Sequence, residues 1–518
     1  MSLLRTTNSP SSSRLPLRIL ATGTLFVTYT LIVSSCPEPG DVVRAQSVQK
    51  TRGGHGANVL VVLSQFRSNR AHSPPAFDGG TTRTVDDVQF CGPVAGSEEG
   101  GLILKELEAQ GVAMLFSILR DGQGVPSAWV IEAADKTKTI INHNPLLDMT
   151  HDEFVSRLGP VLAPENYDMQ TSPPPPNPTP IPNSVFTPNA HMRKRSGSGQ
   201  VYGSPPNGHT PLLSPYSQFI IPGMPPFDWM HFEGRTPQTT LANITGLDGL
   251  ARERGWRTRC IFSLEITRPG AGNLIPHADV VFFSKPYAQS LSPSTTPRSF
   301  LISMSAHAAP HALLVVDWGA QGAALLSVPT REYLQSSGWV EPPSNILNPM
   351  GLVVENGVFS SVRSGSGFWA DGRPQSGVTV TGSETSQWTE NGEALSPEGR
   401  SPVHEDSDSR RTSLETERGT DVKFVDEMGS HDAFVAGMIF SLSQKVLPGR
   451  PYIPGDVVRG PASGGGANVS PGGSGASSGR WTLVECLRFA TELAGRKGRR
   501  MDFAGLRQEM ETAGWMVE

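Results

Sequence analysis

The sequence predicts an α/β fold built on a doubly wound, mostly parallel sheet, and three observations carry that expectation. Short apolar segments ending in Gly, Glu or Ser alternate with segments of helical period. Stretches dense in Pro, Gly and Ser interrupt the alternation, and the remaining chain is long enough for one large domain. The formal charge of −5, from 43 basic and 48 acidic side chains, leaves no domain-wide basic excess to neutralise a phosphate backbone, so a nucleic-acid partner is not expected.

The elements follow in chain order. "RILATGTLFV" reads as a strand and the start of a second, and "ANVLVVLSQF" as a helix. "VDDVQFCGPV" is a strand, "EEGGLILKELEAQG" an amphipathic helix and "AMLFSIL" a strand. "SAWVIEAADKTKTIINH" reads as a hairpin turning near Asp135. The alternation resumes with "WMHFEG", "LANITGLDGLARERG", "TRCIFSLEI", "ADVVFFSK" and "ALLVVDWGAQGAALLS". In such sheets ligands bind outside the carboxyl ends of the strands, so the residues ending those strands are where chemistry is to be sought.

The chain divides accordingly: a flexible N-terminus over 1–16, a first part of the domain over 17–164, a middle part over 227–343, a helical segment over 421–447 and a C-terminal helical part over 481–518. Residues 165–226, 344–420 and 448–480 are expected to be disordered inserts, since 55 Gly and 45 Pro against only 37% apolar residues leave parts of the chain unable to bury enough surface. Residues 15–36 mimic a signal sequence or anchor, but Thr22, Gly23, Thr24, Thr28 and Thr30 interrupt the apolar run, which favours strands over a membrane segment. Cys36, Cys91, Cys260 and Cys486 lie far apart in sequence with no CxxC, which argues for a reducing, cytoplasmic setting without a disulfide framework or zinc site.

Three short stretches could carry chemistry. In "VDEMGSHDAF", Gly429, Ser430 and His431 precede Asp432 where an apolar helix begins. N–H groups at a helix N-terminus bind anions, yet an acid in a first turn also serves as an ordinary cap. In "RGGHGANVLVVL", the glycines allow close backbone approach and Asn58 opens a helix, either as a cap or as a donor to hydroxyl groups. In "VVDWGAQGAAL", Gly319 and Gly322 form a turn that suits a nucleotide or a plain hairpin.

Taken together and in order, these stretches resemble the ribokinase-type (PfkB) sugar kinases, most closely ketohexokinase. "RGGHGANVLVVLS" is similar to that family's Arg-Gly-Gly-Asn-x-x-Asn segment, and "FDWMHFEGR" to its Trp-Ile-His-Ile-Glu-Gly-Arg strand. "FSLEITRP" and "ADVVFFSK" resemble the next two strands, "VDEMGSHDAFVAGMIFSLSQ" the Asp-Thr-x-Gly-Ala-Gly-Asp signature, and "ECLRFATELAGRKG" the final helix. The resemblance implies a ribokinase-like fold with a small β-lid over 34–52 and 122–143, through which two subunits would pair. It implies transfer of a phosphoryl group from ATP, with Mg2+, to a hydroxyl of a ketohexose-like sugar.

The same resemblance assigns roles. Asp432 would be the base, and Gly429, Ser430 and His431 the anion hole. Gly54, His55, Asn58 and Thr28 would meet the sugar; Gly319, Ala320, Gln321 and Gly322 the nucleotide, with Lys138 on its phosphates in place of the family's Arg. Thr28 stands where the family has a sugar-binding Asp, His55 where it has Asn, His431 where it has Gly and Glu427 where it has Thr. An inactive relative that binds sugar or nucleotide as a sensor or scaffold is the alternative. No metal-ligating set is expected: Pro310 between His307 and His311 argues against one helix face. "HMRKRSG" reads as a solvated basic run and Ser413 as a phosphorylation candidate.

Overall fold

The structure, a computed structural model, describes residues 17–67, 84–135, 137–167, 224–341, 364–365, 426–445 and 481–515. The N-terminal segment 1–16, nearly all of the three inserts, the basic run at 191–197 and Ser413 lie outside the described residues.

Parallel strands β1 (Leu17–Thr22), β4 (Val85–Cys91), β9 (Trp229–Glu233), β10 (Ile261–Ile266), β11 (Val280–Ser284) and β12 (Leu313–Asp317) form the body of the main sheet. Antiparallel strands β13 (Ala323–Ser327), β14 (Tyr333–Ser336) and β15 (Ser364–Gly365) extend it, giving the order β15-β14-β13-β12-β11-β10-β9-β1-β4. The strand sequences are apolar almost throughout because both faces are covered. Ile19, Ala21, Phe282 and Val315 pack on one face with α1 (His55–Ser64), α7 (Glu427–Lys445) and α8 (Leu483–Gly498). Leu20, Val281, Phe283, Leu314 and Val316, the alternate residues, pack on the other with α3 (His151–Leu162), α4 (Pro237–Glu253), α5 (Lys285–Leu291) and α6 (Pro297–Ser305). Each such Leu, Val or Phe contributes about 1.5–3 kcal/mol by leaving water.

A second sheet forms the lid. Strands β2 (Phe26–Val33), β3 (Ser47–Gly53), β7 (Ser127–Ala133) and β8 (Lys138–His143) pair in the order β3-β2-β7-β8. The expected hairpin is present, with β7 antiparallel to β8 and Asp135 bonding Thr137 in its turn. The lid also includes β2, which the sequence reading left outside it. Thus "RILATGTLFV" breaks at 23–25, where the chain leaves the main sheet for the lid, and residues 15–36 contribute strands from Leu17 onward. No helix among the described residues is long and apolar enough to cross a membrane.

Two local expectations are corrected. "VDDVQFCGPV" divides into β4 and the short β5 (Pro93–Ala95), and "AMLFSIL" supplies only β6 (Ile118–Arg120), paired with β5. Its apolar run serves packing instead: Phe116 is fully buried, with its ring edge-on to Phe227 at 5.7 Å. Helix α2 (Glu98–Ala109) matches its prediction, capped by Ser97 on the N–H of Gly100. Helix α7 begins at Glu427, so Asp432 lies in its second turn rather than its first. Asp426 causes the earlier start: its Oδ1 accepts the N–H of Gly429 at 2.9 Å and its carbonyl accepts that of Ser430 at 3.1 Å.

Candidate active site

The carboxyl ends of β1, β9, β10 and β12 converge with the N-termini of α1 and α7. Gly54 makes the first of these junctions. It caps α1 with φ of +128°, and a Cβ at that position would lie 2.9 Å from the carbonyl oxygen of Thr24. Only glycine takes that conformation and that approach without strain. The turn delivers His55 and Asn58 from the first turn of α1 toward α7.

There they meet Asp432, which is 2% exposed. Asn58 Nδ2 donates to Asp432 Oδ2 at 2.7 Å, and His55 Nδ1 lies 2.6 Å from Oδ1. The other end of the Asn58 amide accepts from Arg52 Nη1 at 2.8 Å, and Arg52 is itself held by Glu106 and Gln110 at 3.1 Å each. The orientation of the Asp432 carboxylate is therefore set by two elements far from it in sequence.

Around this pair stand residues that the sequence reading did not name. Glu233, ending β9, accepts the N–H of Gly56 at 2.9 Å. Glu265, near the end of β10, is 2% exposed and has His55 Nδ1 at 3.5 Å, His231 Nε2 at 3.5 Å and His431 Nε2 at 3.2 Å. Asp317, ending β12, takes His431 Nδ1 at 2.9 Å with one oxygen and the N–H of Gly319 at 2.9 Å with the other. These acids were foreshadowed by the rule that chemistry sits at strand ends, and each lies in a stretch already quoted, "FDWMHFEGR", "FSLEITRP" and "VVDWGAQGAAL", without having been singled out.

The charges are mutually set. Burial disfavours the imidazolium of His431, but the hydrogen bond to Asp317 and the neighbouring Glu265 raise its pKa to about 10. Burial acts the same way on His55, and Glu265 and Asp432 outweigh it, lifting the pKa well above the usual value. Burial alone would raise Glu265, yet His55, His231 and His431 hold it well below the usual carboxylate range. Burial pushes Glu233 up.

A cavity of about 200 Å³ opens beside this cluster, between the lid and the strand ends. Thr28, Val130 and Asn142 line it from the lid, and His55, Glu233, Arg235, Glu265 and Arg268 from below. Of the predicted residues, the structure brings together Asp432, Asn58, His55 and His431, and sets Thr28 and His55 on the cavity. Gly319, Ala320 and Gln321 form a tight turn joining β12 to β13, tied to His431 through Asp317. Lys138 stands apart: it begins lid strand β8, 3.7 Å from Glu132, and does not line the cavity. The N–H groups of Gly429 and Ser430, expected to face an anion, are both taken by Asp426. Asp426 is ion-paired to the fully buried Lys497.

With that geometry in place, the comparisons are informative. The family model for pfkB family carbohydrate kinases matches residues 17–203, which hold β1, the lid, α1 and β4. Ribokinase from Giardia lamblia superposes with a TM-score of 0.51 at 11% identity, covering 96% of this chain and 98% of that one. The fold is ribokinase-like. Ribokinase from Cryptococcus neoformans, solved with ADP, aligns over 64% of this chain and 82% of its own at 12% identity and a TM-score of 0.37. Arabidopsis thaliana ribokinase, complexed with ribose and ATP, aligns over 65% and 82% at 12% identity and a TM-score of 0.39. A search among curated proteins gave no match. In this ribokinase-like frame, α7 lies beyond the matched residues, and the Asn58–Asp432 and His55–Asp432 contacts join the two beside the stacked rings of Phe66 and Phe440.

Proposed function

We propose that this chain is an ATP-dependent carbohydrate kinase, with Asp432 as the base that takes the proton of a sugar hydroxyl. One observation carries the reading: a buried carboxylate held by Asn58 and His55 where α1 meets α7, beside a cavity roofed by the lid. The pfkB match over the segment that supplies His55 and Asn58 supports it.

In this reading the sugar lies under the lid against Thr28, His55 and Glu233. The turn Gly319–Gly322 receives the nucleotide, and Lys138 reaches its phosphates when the lid closes. ATP enters as its magnesium complex, so Mg2+ is part of the substrate. The first turn of α7 stabilises the transferring phosphoryl group, a role that requires Asp426 to yield the N–H of Gly429. His431 puts a cation beside that site where the family has glycine, which adds charge stabilisation at the cost of space. A ketohexose-like substrate, pairing of lids in a homodimer and a cytoplasmic setting belong to the same proposal.

The test is ADP formation with MgATP and a panel of ketoses, aldoses and polyols, comparing wild type with Asp432→Asn. Sugar-dependent turnover that falls about 10²–10⁴-fold in the variant supports the base. Turnover unchanged by the substitution removes Asp432 from the mechanism. Sugar or ATP binding by calorimetry without any turnover identifies an inactive binding protein instead.

A further inference from the structure

Glu265 is an anomaly that phosphotransfer does not use. It is 2% exposed, yet neither carboxylate oxygen has a partner in hydrogen-bonding geometry. His431 Nε2 is likewise buried and unpartnered. Its imidazole neighbours stand at 3.2–3.5 Å, an ion-pair spacing that leaves its oxygens free to accept a further partner.

The spacing says what would complete it. Glu265 Oε1 lies 3.5 Å from His55 Nδ1 and 3.2 Å from His431 Nε2. Ligands about 2.1 Å from a tetrahedral ion stand roughly 3.4 Å from each other. Donor atoms of His55, Glu265 and Asp432 all lie within 4.8 Å of one another. The Nδ1 of His431 is committed to Asp317 at 2.9 Å, which fixes the ring and turns Nε2 toward the cluster. His431 thus stands behind Glu265 at 3.2 Å, where a second group that orients a ligand is expected. One imidazole nitrogen and two carboxylate oxygens, with an open fourth position, suit Zn2+ and similar first-row dications better than Mg2+.

We infer that His55, Glu265 and Asp432 form a binding site for a first-row divalent transition ion, separate from the magnesium that accompanies ATP, with water in its fourth position. Binding replaces the proton that His55 Nδ1 and Asp432 Oδ1 share at 2.6 Å by metal bonds and releases it to solvent. One of the three ligands, His55, stands where the family pattern has Asn, so the site comes from a departure of this chain. If Asp432 is the base, an ion there blocks proton transfer and the kinase is switched off by the metal; this consequence alone rests on the proposed function.

Metal content after dialysis against ZnCl2 and then metal-free buffer tests the site, with calorimetric titration of Zn2+. The protein carries Cys36→Ser to remove its one exposed thiol among the described residues. One Zn2+ per chain is expected, with affinity at least 10-fold weaker in both Glu265→Gln and His55→Gln and unchanged in the surface variant His307→Gln. No bound ion in the parent protein, or equal affinity in the two ligand variants, overturns the inference. Co2+ absorption of the parent protein keeps the test independent of variant folding: intense visible bands indicate the four-coordinate site, and a weak aqueous-like spectrum overturns it. Metal bound without sugar turnover in the metal-free protein would leave the site standing and sink only the kinase reading.

Discussion

Asn58 Nδ2 and Asp432 Oδ2 meet at 2.7 Å although 374 positions separate them. The contact joins the first helix of the chain to the helix that carries the proposed base, and it couples Arg52 to that base through one amide. Asn58→Leu keeps the size of the side chain and removes both hydrogen bonds. It is expected to cost about 1–3 kcal/mol, because Asp432 loses the donor on Oδ2 and Arg52 one of its three acceptors while both stay inside. Turnover should fall about 10²-fold from misplacement of the carboxylate. Urea denaturation and steady-state kinetics on the same preparation check both, and a stability loss with kcat unchanged would make Asn58 structural only.

Gly54→Ala tests the turn that aims His55. Its φ of +128° and the 2.9 Å approach to the Thr24 carbonyl both exclude a Cβ. The substitution should lower stability by about 1–3 kcal/mol. Gly101→Ala, in open space on α2, is the control and should be neutral or stabilising. Thermal melts of the two variants beside wild type decide it; equal shifts would mean that the strain at residue 54 is relieved by local movement.

How much of this was readable in the sequence depends on what each residue does locally. The strands of the main sheet were legible because burial on both faces leaves continuous apolar runs, as in "VVFF" and "LLVV". "AMLF" misled because the same composition fills the core from a loop through Phe116. Asp432, Asn58 and His55 were named because glycines and helix starts flank them. Glu233, Glu265 and Asp317 were not named, since a single acid at the end of an apolar strand looks like any strand terminus. Their meaning lies in the convergence of three parallel strands, which is a property of topology. The start of α7 was misplaced because its cap, Asp426, is held by Lys497 from another helix.

Stability should depend on acid pH through Arg120 of β6 and Glu153 of α3. Arg120 grips the carboxylate with bonds of 2.5 and 2.8 Å, and Thr150 N–H adds a third at 2.9 Å. The hydrogen bonds from Arg120, against the opposing effect of burial, bring Glu153 down to about 2 from an ordinary 4.5. A depressed pKa contributes stability that is present in full above about 4.5 and lost as pH falls through about 2. Glu153→Gln should therefore be less stable than wild type at pH 7 by about 1 kcal/mol, a modest value because water screens this partly exposed pair. The gap should narrow steadily as pH falls from 4.5 toward 2. Melting temperatures of both proteins across that range check it, and a gap that widens on acidification would reverse the sign.

The buried ammonium of Lys497 offers the most demanding test of how α7 is held. It is 0% exposed, ion-paired to Asp426, and donates to the carbonyls of Arg500 at 3.0 Å and Met501 at 3.3 Å. Its Nζ also sits 4.4 Å from the centre of the Phe503 ring. Lys497→Met fills the same space without the charge. Asp426 then caps α7 with no counter-ion, and two carbonyls at the end of α8 lose their donor. Breaking a buried pair from one side costs about 3–5 kcal/mol, and the lower end applies because Asp426 reaches solvent. Asp426→Asn alone should cost less, since its amide oxygen still caps Gly429, and the double variant should be more stable than the sum of the two losses predicts. Denaturant midpoints for the four proteins give the coupling directly. Strict additivity would mean that the pair is bystander to the helix start, and that the N–H of Gly429 is available to an anion without disturbing Lys497.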